Sequence, residues 1–227
     1  LHDALPISEG CNREILQTLF PEAVLTTEEM LSEETLVNAL SWADAAGIGP
    51  GLSTGEAAEK ELACVLTQAK IPLVLDADAL NILSKHPDWL KKGDTPKILT
   101  PHMGEMVRLS GHSMEELKQK PLELAAAYAK EHEVILVLKD ARTVVTDGER
   151  IVLNTTGNNG MATGGSGDVL TGIITGLLAQ GMAPFEAAVS GVYLHGLAGD
   201  RAAENTGVRG MLSTDLLKEL PGVLKEG

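Results

Sequence analysis

Asp168 closes the run of residues most suited to chemistry in this chain, NTTGNNGMATGGSGDVLTGIITGLLAQ over residues 154–180. Five glycines, Gly157, Gly160, Gly164, Gly165 and Gly167, precede it within eleven residues. Val169, Leu170, Ile173, Ile174, Leu177 and Leu178 follow at helical spacing, which predicts a glycine-rich loop feeding the first turn of a helix. Such a terminus offers unpaired backbone N–H groups and the positive end of the helix dipole, and both attract anions. Gly165, Ser166 and Gly167 are the candidate donors, with hydroxyls from Ser166 and Thr163 beside them. A carboxylate is not needed to hold an anion and would repel one, so Asp168 reads as a base or a metal-facing group. The alternative is a tight helix start in which the glycines serve packing alone. The run is not a P-loop, because no Gly-Lys-Ser/Thr follows, and its glycine spacing is not that of a dinucleotide fingerprint.

Further polar clusters follow strand-like segments, at the edge where open α/β sheets bind ligands. Gly47-Ile48-Gly49-Pro50-Gly51-Leu52 is a ligand loop or an ordinary turn capped by Ser53 or Thr54. In Asp76-Ala77-Asp78-Ala79-Leu80-Asn81, Asp78 is expected to cap the next helix, while Asp76 stays open between metal and substrate. His102 and Glu105 lie three apart, but no second histidine follows one turn on, so no metal site is expected. Lys139 and Arg142, flanking Asp140 and Ala141 before Thr143, neutralise a phosphate or simply decorate a solvated turn. His195 and Asp200, lone polar groups on an apolar helix, read first as structural, Asp200 with a secondary claim to support the pocket.

The elements that must position these groups alternate. Helical patterns cover 12–20, 28–40, 56–69, 115–117, 121–131 (Leu122, Leu124, Ala125 and Tyr128 inward), 184–203 and 216–220, the last stopped by Pro221. Strands are expected at 44–48, 72–75, 97–99 and 134–138, and a hairpin joins 143–146 to 150–153 around Asp147-Gly148. Alternation of this kind makes an α/β layered fold with a mostly parallel central sheet and an antiparallel edge. A chain of 227 residues can bury one sizeable core. We expect one domain over 12–227 and an atypical segment over 1–11, truncated or foreign. A net charge of −14 argues against nucleic acid and anionic membrane as partners, and a 3% aromatic share against base-stacking platforms. No apolar run is long enough to span a bilayer. Cys11 and Cys64 have no metal-ligand spacing and read as reduced thiols of a cytoplasmic protein.

The run GNNGMATGGSGDVLTGIITGLLAQG resembles the signature of the ADP-dependent NAD(P)H-hydrate dehydratases, members of the ribokinase-like superfamily. The Gly-Pro-Gly loop, the Asp-Ala-Asp segment, Thr-Pro-His-Met-Gly-Glu and the lysine turn are similar to that family in the same order. The resemblance implies a ribokinase-like three-layer αβα fold. It also implies restoration of NADH and NADPH from NADH hydrate and NADPH hydrate at the expense of an adenine nucleotide, ADP or ATP. Carried onto this chain, it makes Asp168 catalytic and turns Gly51, His102 and Asp168 toward the hydrate. Lys139, Asp140, Ala141, Arg142, Thr143, Gly165, Ser166 and Gly167 would hold the nucleotide, with magnesium on its phosphates. Asp140 stands where the family usually has glycine. The family further implies a homotetramer and, in many members, a fused epimerase domain upstream. Two other readings share these residues: a vitamin-precursor kinase of the same superfamily, and an inactive nucleotide-binding remnant.

Overall fold

In the computed structural model, residues 7–9, 12–28 and 31–225 are described. Six strands form one sheet in the order β3-β4-β5-β6-β7-β8. They are β3 (Ala46–Ile48), β4 (Leu73–Leu75), β5 (Lys97–Leu99), β6 (Ile135–Leu138), β7 (Val144–Thr146) and β8 (Ile151–Leu153). The first four run parallel, and β7 and β8 complete the edge antiparallel. Outside this sheet, β1 (Ile7–Glu9) pairs in parallel with β2 (Thr26–Glu28). Cys11 and its thiol lie outside the described residues; Cys64 is a free thiol.

Successive side chains of a strand point to opposite faces, and both faces of this sheet are covered. Leu73, Leu75, Leu99, Leu136 and Leu138 face one cluster with α2 (Glu33–Trp42), α3 (Glu56–Gln68), α4 (Ala77–Lys85), α5 (Met103–Ser110), α6 (Met114–Gln119) and α7 (Pro121–His132). Val74, Ile98 and Val137 face the other, built on α8 (Ser166–Ala179) and α9 (Pro184–Thr206). The arrangement is a three-layer αβα fold. The terminal helix α10 (Ser213–Val223) packs against α9 and α8 through a third small cluster around Met211 and Leu216.

Several expected elements shift. The acid-rich segment expected to be helical from residue 28 begins only at Glu33, after Ser32 accepts the Thr35 N–H at 3.1 Å as its cap. Its first residue, Glu28, instead ends β2. Strand β3 is shorter than expected and only partly buried, because it is the sheet edge. Leu122, expected inward, is exposed in the first turn of α7. Pro221 does not end the last helix but sits inside it, where the missing N–H removes one bond near a terminus that frays anyway. The short α1 (Arg13–Leu19) buries none of its residues, and Ile15 and Leu19 remain exposed. Among the described residues, no helix is long and apolar enough to cross a membrane.

Candidate functional site

The parallel order of β3 to β6 sets four loops side by side at their carboxyl ends: Gly51 after β3, Asp76 after β4, His102 after β5 and Lys139 after β6. The ladder continues past the strands, with Thr100 N–H donating to Leu75 O at 3.1 Å and Lys139 N–H to Pro101 O at 2.8 Å. Gly49 packs so closely on this edge, at φ +125°, that a Cβ would collide with the Asp76 carbonyl.

The start of α8 comes down onto this row. Gly165 occupies its N-cap at φ +83°, a left-handed angle that favours glycine, and no side chain caps the helix. Beyond it, a Cβ at Gly167 would stand 3.2 Å from Lys139 Nζ and 3.5 Å from Asp76 Oδ2. Lys139 Nζ donates to Asp76 Oδ1 at 2.8 Å, and the Thr171 hydroxyl on the next turn donates to Asp76 Oδ2 at 2.8 Å. Burial pushes the Asp76 carboxyl up, but the Lys139 ammonium and hydrogen bonds from Lys139, Thr171 and Thr100 outweigh it and hold the group below the usual carboxylate range. A glycine N-cap, the first-turn N–H of Gly167 and a fixed ammonium therefore converge on one spot, while the Ser166 N–H is taken by Thr163 O at 3.3 Å. Asp168, one residue on, is exposed, and its side chain makes no hydrogen bond or ion pair among the described residues. It opens on a groove of about 390 Å³ shared with Val169, Gly172, Leu217 and Leu220. A larger cavity of about 450 Å³, between β8 and α9, contains none of the candidate residues.

Helix α9 holds the loop from behind. Asp200 accepts the Gly157 N–H at 2.8 Å and the Asn158 amide at 3.0 Å, and Asn158 Oδ1 accepts the Gly160 N–H at 3.0 Å. Gly196 and Gly199 leave no room for a Cβ against Thr156 and Met161. His195 Nε2 lies 3.2 Å from Ser166 Oγ. Asp200 thus supports the loop directly, and spacing on one helix face was the signal for it: 195, 196, 199 and 200 are neighbours on a helix.

The remaining candidates fall into place around this centre. Gly51 is exposed at φ +71° with open space around its Cα, and the Ser53 N–H after it donates to Asp78 Oδ2 at 2.9 Å. Asp78 therefore ties the Gly-Pro-Gly loop and does not cap α4, whose N-cap position belongs to Asp76. His102 is the N-cap of α5: its Nδ1 accepts the N–H groups of Gly104 and Glu105 at 2.9 and 3.3 Å, while Glu105 Oε2 accepts the His102 N–H at 2.8 Å. That leaves Nε2 to carry the proton in the neutral ring, on a half-exposed side chain. Asp140, Ala141 and Arg142 form an exposed turn, with Arg142 donating to Thr155 O at 3.0 Å, and Thr143 O accepts the Asn154 N–H at 2.9 Å. Lys139 meets the glycine-rich loop through its side chain; Arg142 binds the segment after β8 that leads into it. No group of three or more metal-ligating side chains occurs among the described residues.

Residues 7–222 match the family model described as NAD(P)H-hydrate dehydratase. The chain belongs to the NAD(P)H-hydrate dehydratase family. It is 45% identical over 214 residues to a bifunctional NAD(P)H-hydrate repair enzyme of Moorella thermoacetica, covering 93% of this chain and 40% of that protein. It is 41% identical over 202 residues to an ADP-dependent (S)-NAD(P)H-hydrate dehydratase of Neisseria meningitidis, covering 87% and 66%. The chain spans about two-fifths of the length of the bifunctional relatives it matches. Among solved structures, an ADP/ATP-dependent NAD(P)H-hydrate dehydratase of Bacillus subtilis, co-crystallised with ATP/Mg2+, superimposes with a TM-score of 0.80 at 33% identity, over 96% of this chain and 76% of that one. A ribokinase-like superfamily protein of Enterococcus faecalis gives 0.86 at 33% identity, over 98% and 76%. The expected ribokinase-like fold is therefore the fold of this family member.

Proposed function

We propose that this member of the NAD(P)H-hydrate dehydratase family converts NADH hydrate and NADPH hydrate back to NADH and NADPH, using ADP or ATP. The observation that carries the reading is the pairing of an unencumbered Asp168 carboxylate with an anion cradle one residue away, made of Gly165, Ser166, Gly167 and Lys139. A base beside a phosphate site is what phosphoryl transfer to a hydroxyl requires.

The hydroxyl oxygen of the hydrated ring attacks the terminal phosphorus of ADP while Asp168 takes its proton. The bond to AMP breaks as the new oxygen–phosphorus bond forms. Backbone N–H groups of Gly165 and Gly167 and the Lys139 ammonium meet the charge on the transferring group, the Ser166 N–H being held by Thr163 O. The carbon–oxygen bond then breaks, phosphate departs with its electrons, the ring loses a proton at the adjacent carbon, and the double bond returns. Hydroxide is a poor leaving group and phosphate a good one, which gives the nucleotide its chemical purpose. Lys139, Asp140, Ala141, Arg142 and Thr143 line the nucleotide side, and Gly51 and the Nε2 side of His102 line the hydrate side. Magnesium carried on the nucleotide phosphates would offset their charge, a mode that needs few protein ligands, in keeping with an Asp76 already held by Lys139 and Thr171. We assign the activity to the cytoplasm, where Cys64 stays a thiol, and to a homotetramer, with residues 12–227 as the working domain.

The test is incubation with hydrated NADH, magnesium and either ADP or ATP, following the absorbance of the reduced nicotinamide, with Asp168→Asn alongside. Nucleotide-dependent recovery that the variant lacks is expected. A cooperatively melting protein that binds ADP but restores nothing would overturn the assignment and favour a kinase that stops at the phosphorylated alcohol.

A further inference from the structure

Helix α8 begins without a side-chain cap, on a left-handed glycine, at the place where phosphoryl-transfer geometry must be set. An uncapped first turn frays unless tertiary contacts fix it. Gly165 is pressed against Ser213, whose Oγ would lie 2.8 Å from a Cβ there, and Gly167 against Lys139 Nζ. Between them, Ser166 turns its side chain inward and is buried. Its hydroxyl has one hydrogen-bond partner among the described residues, His195 Nε2 at 3.2 Å.

His195 comes from the middle of α9, the helix that also holds the other end of the loop through Asp200. Its ring lies behind Ser166 and makes no hydrogen bond to Asp168 or Lys139. Burial pushes its pKa down to about 4, a hydrogen bond to the Ser166 backbone opposes this, and the Lys139 charge pushes it down further. A neutral imidazole bonds a hydroxyl without adding a second fixed cation behind the cradle.

We propose that His195 is a positioning residue for phosphoryl transfer, orienting the first turn of α8 through the Ser166 hydroxyl so that the Gly167 N–H meets the transferring phosphoryl group while the Asp168 carboxylate meets the attacking hydroxyl. The inference rests on the dehydratase reading above. It assigns a task to the α9 histidine that substrate and nucleotide contacts leave without one.

The experiment is a double-mutant cycle with His195→Ala, Ser166→Ala and the pair, plus His195→Gln, in which the amide can replace Nε2 as a partner. Steady-state dehydration is measured with ADP and hydrated NADH at about pH 7, with thermal melts for every variant. Each alanine variant should lower kcat about tenfold, the scale of one hydrogen bond acting in the transition state, with KM values within about twofold. The pair should be no worse than either alone, and His195→Gln should recover most of kcat. Losses that multiply in the pair, or a folded His195→Ala protein with full kcat, would overturn the inference while an active wild type leaves the dehydratase reading standing. Should His195→Ala fail to fold, Ser166→Ala decides in its place: a folded Ser166→Ala protein with full kcat overturns the inference equally. An inactive wild type would instead remove the dehydratase reading and this inference with it.

Discussion

Lys139 Nζ bonds Asp76 Oδ1 at 2.8 Å, joining the carboxyl ends of β6 and β4 across the intervening β5. The pair is 63 residues apart in sequence, and Asp76 is bonded on its other oxygen by Thr171, 95 residues away. One buried carboxylate thus ties two strand ends to the second turn of α8, and it holds the ammonium beneath Gly167.

Asp76→Asn keeps the shape and removes the charge. Lys139 then lacks its counter-ion in a partly buried place, so at about pH 7 the variant should lose about 2 kcal/mol of unfolding free energy. The carboxyl titrates below its ordinary range in the folded chain. Its contribution is therefore complete above the unfolded-state pKa and fades as pH falls toward the folded-state one. Urea unfolding of both proteins from about pH 7 down to about pH 3 should show the gap narrowing only at the acid end. Equal stability at neutral pH would mean that the pair is mechanically idle.

His195 predicts a separate acid-sensitive window. The unfolded ring titrates at about 6.5 and the folded one at about 4. Between those values the unfolded chain binds more protons, so stability must rise with pH across the window and be lost as pH falls through it. The charged group acting on the ring is the Lys139 ammonium, which pushes the ring pKa down in the same direction as burial. The wild type should lose up to about 3 kcal/mol from pH 6.5 to 4, and His195→Gln should show a flatter profile. Superimposable profiles would show that the ring is not desolvated in the folded protein.

The centre was only partly legible from sequence, and the reason is range. The glycine-rich entry into a helix could be read from five glycines before an apolar helical stripe, and α8 follows those glycines, starting at Ser166. Likewise Lys97–Leu99 is a strand as its β-run and following Pro101 required. The Asp76–Lys139–Thr171 network could not be read, because no local spacing links three residues on separate elements. Asp78 misled for the same reason: its position suited a helix cap, but its oxygen is taken by the Ser53 N–H from another loop. The start of α2 was misjudged because acidic residues continue a helical pattern backwards, whereas Thr26–Glu28 extends to pair with Ile7–Glu9. Leu122 illustrates the limit of periodicity, since an apolar residue in a first turn need not face the core.

Gly167→Ala separates cradle from scaffold. Gly167 is helical, so alanine there should favour folding by up to about 1 kcal/mol on propensity alone. The added Cβ would stand 3.2 Å from Lys139 Nζ, the far end of a flexible side chain, which can give by a few tenths of an ångström. Stability should therefore be unchanged or slightly higher. Anion binding should suffer, because the methyl occupies the space over the ammonium where a phosphate oxygen would rest, and displaces the ammonium itself. We expect ADP affinity, measured by calorimetry, to fall at least about tenfold, equivalent to about 1.4 kcal/mol, with an undiminished melting temperature. Lost affinity in a destabilised protein would point to a packing role for this glycine. Full ADP affinity in a stable variant would move the phosphate site away from Gly167 altogether.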